Sequence, residues 1–240
     1  MLVTRPEPDA SDTAARLEAL GITPVVMPLL SLELLPAELP DPDGIAAIAL
    51  TSGNALRALE ASGSLGRYHH IPVYTVGDRT ADRAEELGFS MVTSASGAFA
   101  DLAELLAHAS IEGPIFYPSG REVSADLGRS LLPFGRTVLA VPVYAMNPPA
   151  RLDEEVAEGL VRKEIEAALF YSRRTAEAFV RLAGPVLADA QRMSLGMLCM
   201  SEAVAEPLVD AHFVRIALAE RPDEEAMMGL ALSFARDHNP

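Results

Sequence analysis

Short apolar, β-rich runs alternate with amphipathic helical patterns along the whole chain. The runs lie near residues 1–4, 24–28, 46–51, 72–76, 90–93, 114–117, 138–141, 167–171, 195–199 and 213–217. Between them, stretches such as Ala10–Leu20, Asn54–Ser62, Thr80–Leu87, Ala100–Ala107, Thr175–Leu182 and Glu224–Ala235 set apolar residues three and four positions apart, the spacing of one helical face. This alternation predicts βαβ units and an α/β fold with parallel sheets of about five strands each.

The pattern is written twice, in permuted order. Ala49-Leu50-Thr51-Ser52 and the helical run after it recur as Leu169-Phe170-Tyr171-Ser172, and Val76-Gly77-Asp78-Arg79-Thr80-Ala81 recurs as Met200-Ser201-Glu202-Ala203-Val204-Ala205. The opening strand, the turn at Gly21 and Val25-Val26-Met27-Pro28 have counterparts at Ile115-Phe116-Tyr117, Gly135 and Leu139-Ala140-Val141-Pro142. Two similar domains that face each other across a cleft are therefore expected. Leu29–Pro36 and Val141–Pro149 are extended and bounded by prolines, and residues before proline avoid the helical region. These segments favour a paired hinge: residues 1–33 with 148–240 as one discontinuous domain, 37–143 as an inserted one, and linkers at about 30–37 and 142–149. One large sheet with ordinary loops is the alternative.

Composition narrows the classes of function. The chain has 240 residues, half of them apolar, which suffices for two packed cores of ordinary size. A formal charge of −15 disfavours broad attraction to nucleic acid or an anionic membrane. Lys163 is the only lysine; the arginines suit carboxylate or phosphate, and a GC-rich coding sequence explains them equally. Cys199 is alone in an apolar run, so neither a disulfide framework nor a thiol metal site is expected and a reducing cytoplasm is the natural home. The first residues lack the features of a signal peptide. No apolar run approaches the ~20 residues that span a bilayer, and the absence of a heptad pattern leads to the expectation of a monomer.

In parallel α/β sheets, ligands bind beyond the carboxyl ends of the strands, where helices begin. Those ends read Thr4-Arg5-Pro6, Thr51-Ser52-Gly53-Asn54, Val76-Gly77-Asp78-Arg79-Thr80, Pro118-Ser119-Gly120-Arg121, Tyr171-Ser172-Arg173-Arg174-Thr175 and Ser201-Glu202. Small hydroxyl residues and glycines there leave backbone N–H groups open to an anion. The candidate binding residues are Arg5, Thr51, Ser52, Gly77, Thr80, Gly120, Arg121, Tyr171, Ser172, Arg173 and Ser201. Helix capping by Ser52, Ser172 and Ser201 is the bland alternative for each serine taken singly. With Arg174, the arginines would make the strand ends locally positive on an acidic protein, which suits a small polyanion.

Phosphate-loop, dinucleotide and zinc-protease motifs and the nucleophile elbow are all missing. His69-His70, with no carboxylate cluster at ligand spacing, reads as a solvated loop. Alignment of Gly21 with Gly135 and of Pro28 with Pro142 sets Tyr144 opposite Leu30. A phenol where the repeat has a leucine points to a role as hydrogen-bond donor or weak acid, with a packing tyrosine as the alternative.

Val3-Thr4-Arg5-Pro6, Leu50-Thr51-Ser52-Gly53-Asn54-Ala55, Val76-Gly77-Asp78-Arg79-Thr80-Ala81 and Val141-Pro142-Val143-Tyr144 stand in the order and spacing of a known family. The chain resembles uroporphyrinogen-III synthases over essentially its whole length. The resemblance implies two flavodoxin-like domains with parallel sheets joined by a two-stranded linker. It implies a lyase that converts the linear tetrapyrrole hydroxymethylbilane to uroporphyrinogen III, in tetrapyrrole and heme biosynthesis. The substrate loses its hydroxyl as water and closes through a spiro intermediate with the last ring, D, inverted. By the same resemblance Tyr144 is the proton donor, no cofactor or metal is used, and the partners are the small-molecule substrate and, in a transient contact, the preceding pathway enzyme, with no nucleic acid and no membrane. Neighbouring threonines seen in parts of the family are replaced here by Met200-Ser201-Glu202-Ala203-Val204-Ala205, where Ser201 keeps a hydroxyl. The rival class is a non-catalytic two-domain binding protein for an anionic metabolite. A flavodoxin-like electron carrier fits poorly with 5% aromatic residues and no tryptophan.

Overall fold

In the computed structural model, which describes residues 1–123 and 125–238, strands and helices alternate throughout. The order is β1 (Leu2–Val3), α1 (Asp9–Ala19), β2 (Val25–Val26), β3 (Ser31–Leu34), β4 (Ala47–Leu50), α2 (Gly53–Ala61), β5 (Val73–Thr75), α3 (Asp78–Glu86), β6 (Val92–Ser94), α4 (Phe99–His108), β7 (Ile115–Gly120), α5 (Leu127–Leu131) and β8 (Val138–Asn147). It continues with α6 (Glu154–Val161), β9 (Ala167–Phe170), α7 (Arg173–Ala183), α8 (Asp189–Ser194), β10 (Gly196–Cys199), α9 (Glu202–Asp210), β11 (Arg215–Leu218) and α10 (Glu224–His238). Two compact units result: residues 1–31 with 147–240, and residues 32–146.

The first unit is a five-stranded sheet in the order β2-β1-β9-β10-β11, in which β1 pairs in parallel with β2 and β9, and β10 with β9 and β11. Counted along this unit, the strands run 2-1-3-4-5, the doubly wound order of flavodoxin-like folds. The second unit is a six-stranded sheet ordered β3-β8-β7-β4-β5-β6, in which β4 to β8 pair in parallel. The five strands other than β3 repeat the first unit's order, with the two pairs permuted along the chain. The registers agree residue by residue: Leu2 pairs with Val25 and Ala168, and Phe116 pairs with Leu139 and Ile48. The sixth strand, β3, neighbours β8 at the edge.

Both strand faces are covered, which explains the unbroken apolar runs. In β4, Ala47 and Ala49 pack with Leu102, Leu106, Leu127 and Leu131 of α4 and α5. Ile48 and Leu50 alternate to the other side and are as fully buried as Leu56 and Leu59 of α2. In the first unit Val3 and Leu169 pack with Leu17 of α1 and Met227 and Ala231 of α10, and the Phe170 and Phe179 rings meet at 5.2 Å. Burying each such side chain contributes about 2 kcal/mol. Gly21 and Gly135 both adopt left-handed backbone, at φ +76° and +69°. That conformation closes the helical turn before β2 and β8 in each unit and favours glycine.

The periodicity missed α5, α6 and α8, whereas α9 begins after Ser201, where the sequence places a helix start. Two of these, α5 and α8, are shorter than two turns and carry no measurable period. In α9, Pro207 lies inside the helix and breaks the expected pattern, yet it is buried beside Leu208 on the packed face. The reading of His69-His70 as solvated also needs correction. His70 is exposed, but the His69 ring is half-buried 5.2 Å from the Phe89 ring, its Nε2 enclosed without a hydrogen-bond partner.

Candidate functional site

In doubly wound sheets the strand order reverses at a switch point, and the loops there flare apart to admit a ligand. The two switch points lie between β1 and β9 and between β7 and β4. They carry most of the residues that the sequence singles out.

In the first unit, Arg5 follows β1 and Tyr171 follows β9, and the Arg5 guanidinium carbon sits 4.1 Å from the centre of the Tyr171 ring. The pair is not free. Arg5 donates to Asp9 Oδ2 at 3.1 Å, to Thr13 Oγ1 at 3.1 Å and to Glu224 Oε2. Thr13 and Tyr171 each donate a hydroxyl to Glu224 Oε1 at 3.1 Å. Burial, and then the adjacent Glu224 carboxylate, push the Tyr171 phenol well above its ordinary pKa. Ser172 caps α7 by accepting from the Thr175 N–H at 3.2 Å. Arg173 is exposed and paired with Glu177 and Glu206, which raise its pKa. Two of the four arginines, Arg5 and Arg173, are paired with carboxylates, so the expectation of locally positive strand ends is corrected at those two ends.

In the second unit, Thr51 follows β4, and its hydroxyl lies 3.1 Å from the Tyr117 hydroxyl of β7. Ser52 caps α2, accepting from the Asn54 N–H at 3.2 Å. Gly120 pairs with Tyr144 across β7 and β8 at an irregularity in the register, and the Arg121 N–H donates to the Tyr144 carbonyl at 2.8 Å. A Cβ on Gly120 would lie 3.1 Å from Tyr144 Cε2 and 3.2 Å from its Cζ. Glycine there lets the ring lie against the strand. Tyr144 is buried at 9% exposure, whereas the Arg121 residue is exposed.

Gly77 and Ser201 stand at the starts of α3 and α9, both without a side-chain cap. Thr80 lies half-buried in the first turn of α3. Each helix carries its own acid at that end, Asp78 or Glu202; the Ser94 and Ser96 hydroxyls hold the Asp78 carboxyl below its usual range. By contrast α2 and α7 have no acid in the first turn, so their N–H groups and dipoles stay receptive to an anion. These two helices occupy equivalent places, after β4 and after β9.

Sequence reasoning missed Asp9, Thr13, Tyr117 and Glu224 at these sites. A single signal was available for two of them, since Asp9 and Thr13 stand four and eight residues after Arg5, on the face of α1 that returns to it. Among the described residues no group of three or more His, Cys, Asp or Glu side chains is placed to hold a metal ion, and no helix is long and apolar enough to cross a membrane.

Two doubly wound units with parallel strands, each the permuted counterpart of the other and each with an acid-free helix N-terminus at its switch point, define a duplicated α/β protein. The comparisons with known proteins narrow that class. A family model described as uroporphyrinogen-III synthase HemD matches residues 11–229, and the chain belongs to the uroporphyrinogen-III synthase family. The synthase of Chlorobaculum parvum is 28% identical over 198 residues, 77% of this chain and 79% of that one. The crystal structure of the Helicobacter pylori enzyme covers 97% of this chain and 98% of its own at 21% identity, with a TM-score of 0.70. A mutant Thermus thermophilus synthase covers 99% of each chain at 19% identity and a TM-score of 0.58. These structures share the two-domain α/β fold.

Proposed function

We propose that this chain is a lyase that cyclises hydroxymethylbilane to uroporphyrinogen III, with loss of water and inversion of the D ring, in tetrapyrrole and heme biosynthesis. The observation that carries the reading is the pair of equivalent helix N-termini, α2 and α7, kept free of acids in a chain of this family. A substrate with eight carboxylates needs several anion seats in fixed places, and short polar termini supply them without a net positive charge. Thr51, Ser52, Gly77, Thr80, Gly120 and Arg121 on one unit, and Arg5, Tyr171, Ser172, Arg173 and Ser201 on the other, are the proposed binding set.

The Tyr144 phenol is the proposed general acid. It donates its proton to the departing hydroxyl, which leaves as water. The terminal ring then attacks the resulting carbon through its already substituted α-carbon to give a spiro intermediate. The original bond from that α-carbon to its methylene bridge breaks, and the freed methylene carbon bonds to the ring's other α-carbon, which loses its proton. No electrons pass to an acceptor, so the chemistry calls for no redox cofactor. The protein's other contribution is conformational, since one folded arrangement of a flexible chain lowers the entropy cost of closure. With Cys199 its only cysteine, and that one buried, we place the chain in a reducing cytoplasm as a monomer, with a transient contact to the enzyme that makes its unstable substrate.

The test supplies purified protein with freshly generated hydroxymethylbilane, oxidises the product and separates the porphyrin isomers. Predominant type III supports the reading; type I alone, the spontaneous product, overturns it. Tyr144→Phe is expected to lower kcat about 100-fold or more with little change in KM, the usual weight of a general acid. An unchanged kcat removes Tyr144 from that role.

A further inference from the structure

Three donors converge on one carboxylate in the first unit, and the carboxylate belongs to the protein itself. Glu224 Oε2 takes the Arg5 guanidinium, while Oε1 takes the hydroxyls of Thr13 and Tyr171. A planar guanidinium flanked by two hydroxyls is the chemistry of a carboxylate seat. The seat stands at the switch point, among the strand ends where a ligand of this fold enters.

The seat does not depend on its occupant. Asp9 holds the other amino group of Arg5 at 3.1 Å, and the Tyr171 ring supports its plane from 4.1 Å. Arg5 thus keeps one counter-charge and its orientation when Glu224 moves. Nor does α10 need Glu224 at its start, because Asp223 accepts from the Ala226 N–H at 2.8 Å and caps the first turn. Glu224 is the outer partner, with its side chain 26% exposed against 11% for Arg5. Its partial exposure gives the carboxylate a route to water by a change of rotamer.

We propose that Glu224 occupies a substrate-carboxylate seat in the unliganded protein and is displaced by a carboxylate of the bound polycarboxylate. The inference rests on the proposed function for the identity of that ligand. Glu224 acts through Arg5 and is a specificity-determining residue. It fills the seat while the site is empty, and it admits only a ligand whose carboxylate competes with one already in place. A monocarboxylate with no further anchors loses that competition, whereas a ligand held by several other carboxylates wins it.

The experiment titrates uroporphyrin III, the stable oxidised product, by fluorescence against the wild-type chain and the variants Glu224→Ala, Glu224→Gln, Arg5→Ala and Arg5→Ala/Glu224→Ala, with circular dichroism as the check on folding. Glu224→Ala is expected to tighten porphyrin binding about tenfold, in line with a charge-assisted hydrogen bond set free, and to lower KM for hydroxymethylbilane more than it changes kcat. The double variant is expected to lose that gain. Glu224→Gln keeps an acceptor for the two hydroxyls and is expected to tighten binding by a smaller factor; it decides the matter if the alanine variant does not fold. A purely structural tie between α10 and β1 leaves affinity equal or weaker in the folded variants, and that result overturns the proposal. Type III formation by the wild type, measured alongside, separates the outcomes. If it forms and Glu224 variants bind no tighter, the inference alone fails. If it does not form but the variants bind tighter, the seat stands and the assigned reaction falls. A wild-type chain that neither binds porphyrin nor forms type III overturns both.

Discussion

The two switch points have the same strand order and opposite chemistry. Through the matching registers, Arg5 and Tyr171 of the first unit correspond to Ser119 and Thr51 of the second. Where one unit stacks a guanidinium on a phenol and surrounds it with Asp9 and Glu224, the other has a buried serine and a threonine hydroxyl bonded to Tyr117. Tyr144, in turn, faces the strand where the first unit carries Leu30. Duplication therefore preserved the parts set by backbone geometry, namely strand order, capping serines and open helix ends. The side chains diverged, leaving a carboxylate seat on one unit and a phenol beside a glycine on the other.

The largest expected stability effect separates these two positions directly. Arg5→Ala leaves Asp9 and Glu224 facing each other, half-buried, without their cation, at a cost of about 2 kcal/mol and a fall in Tm of roughly 5 °C. Ser119→Ala removes one hydroxyl and is expected to cost no more than about 1 kcal/mol. Equal losses in thermal melts of the two variants would break the distinction.

A second contrast concerns β10 and β5, where Cys199 corresponds to Thr75. Burial pushes the Cys199 thiol up from 9.0 to about 12, whereas Thr75 does not titrate and donates to the Gly77 carbonyl at 3.1 Å. A folded pKa above the unfolded one gives stability that is complete below the unfolded value and lost as pH rises toward the folded one. Guanidinium unfolding is therefore expected to show stability falling between pH 9 and 12, by at most about 1.4 kcal/mol per pH unit for this proton. The raised Tyr171 phenol acts in the same direction above about pH 10. Cys199→Val is expected to flatten the fall between pH 9 and 10, and an unchanged slope would assign it elsewhere.

The smallest effects test where the units agree. Ser52 and Ser172 both cap with their hydroxyls, so alanine at either is expected to cost about 1 kcal/mol. Ser201, whose hydroxyl makes no cap, is expected to lose only a few tenths of that. Chemical denaturation of the three variants checks the ranking, and a full cap-sized loss at Ser201 would refute the assignment.

Much of this was legible in the chain. Continuous apolar runs marked strands covered on two faces, and the repeated Thr51-Ser52 and Tyr171-Ser172 turns marked equivalent strand ends. Gly21 and Gly135 marked the turn that each unit needs. The helices α5 and α8 escaped because they are too short to show a period.

The sequence by itself determined the α/β class, the duplication and the capped helix starts, because each is encoded by neighbours within a turn or a strand. Only the tertiary structure decided what those ends hold. Glu224 reaches Arg5 across 219 positions because α10 packs on the face of the sheet that includes Val3, with α1 beside it. Thr51 meets Tyr117 across 66 positions because β7 pairs with β4. Such contacts follow from strand order, and strand order is set when both faces of a parallel sheet are buried together, a condition that no local stretch of residues carries alone.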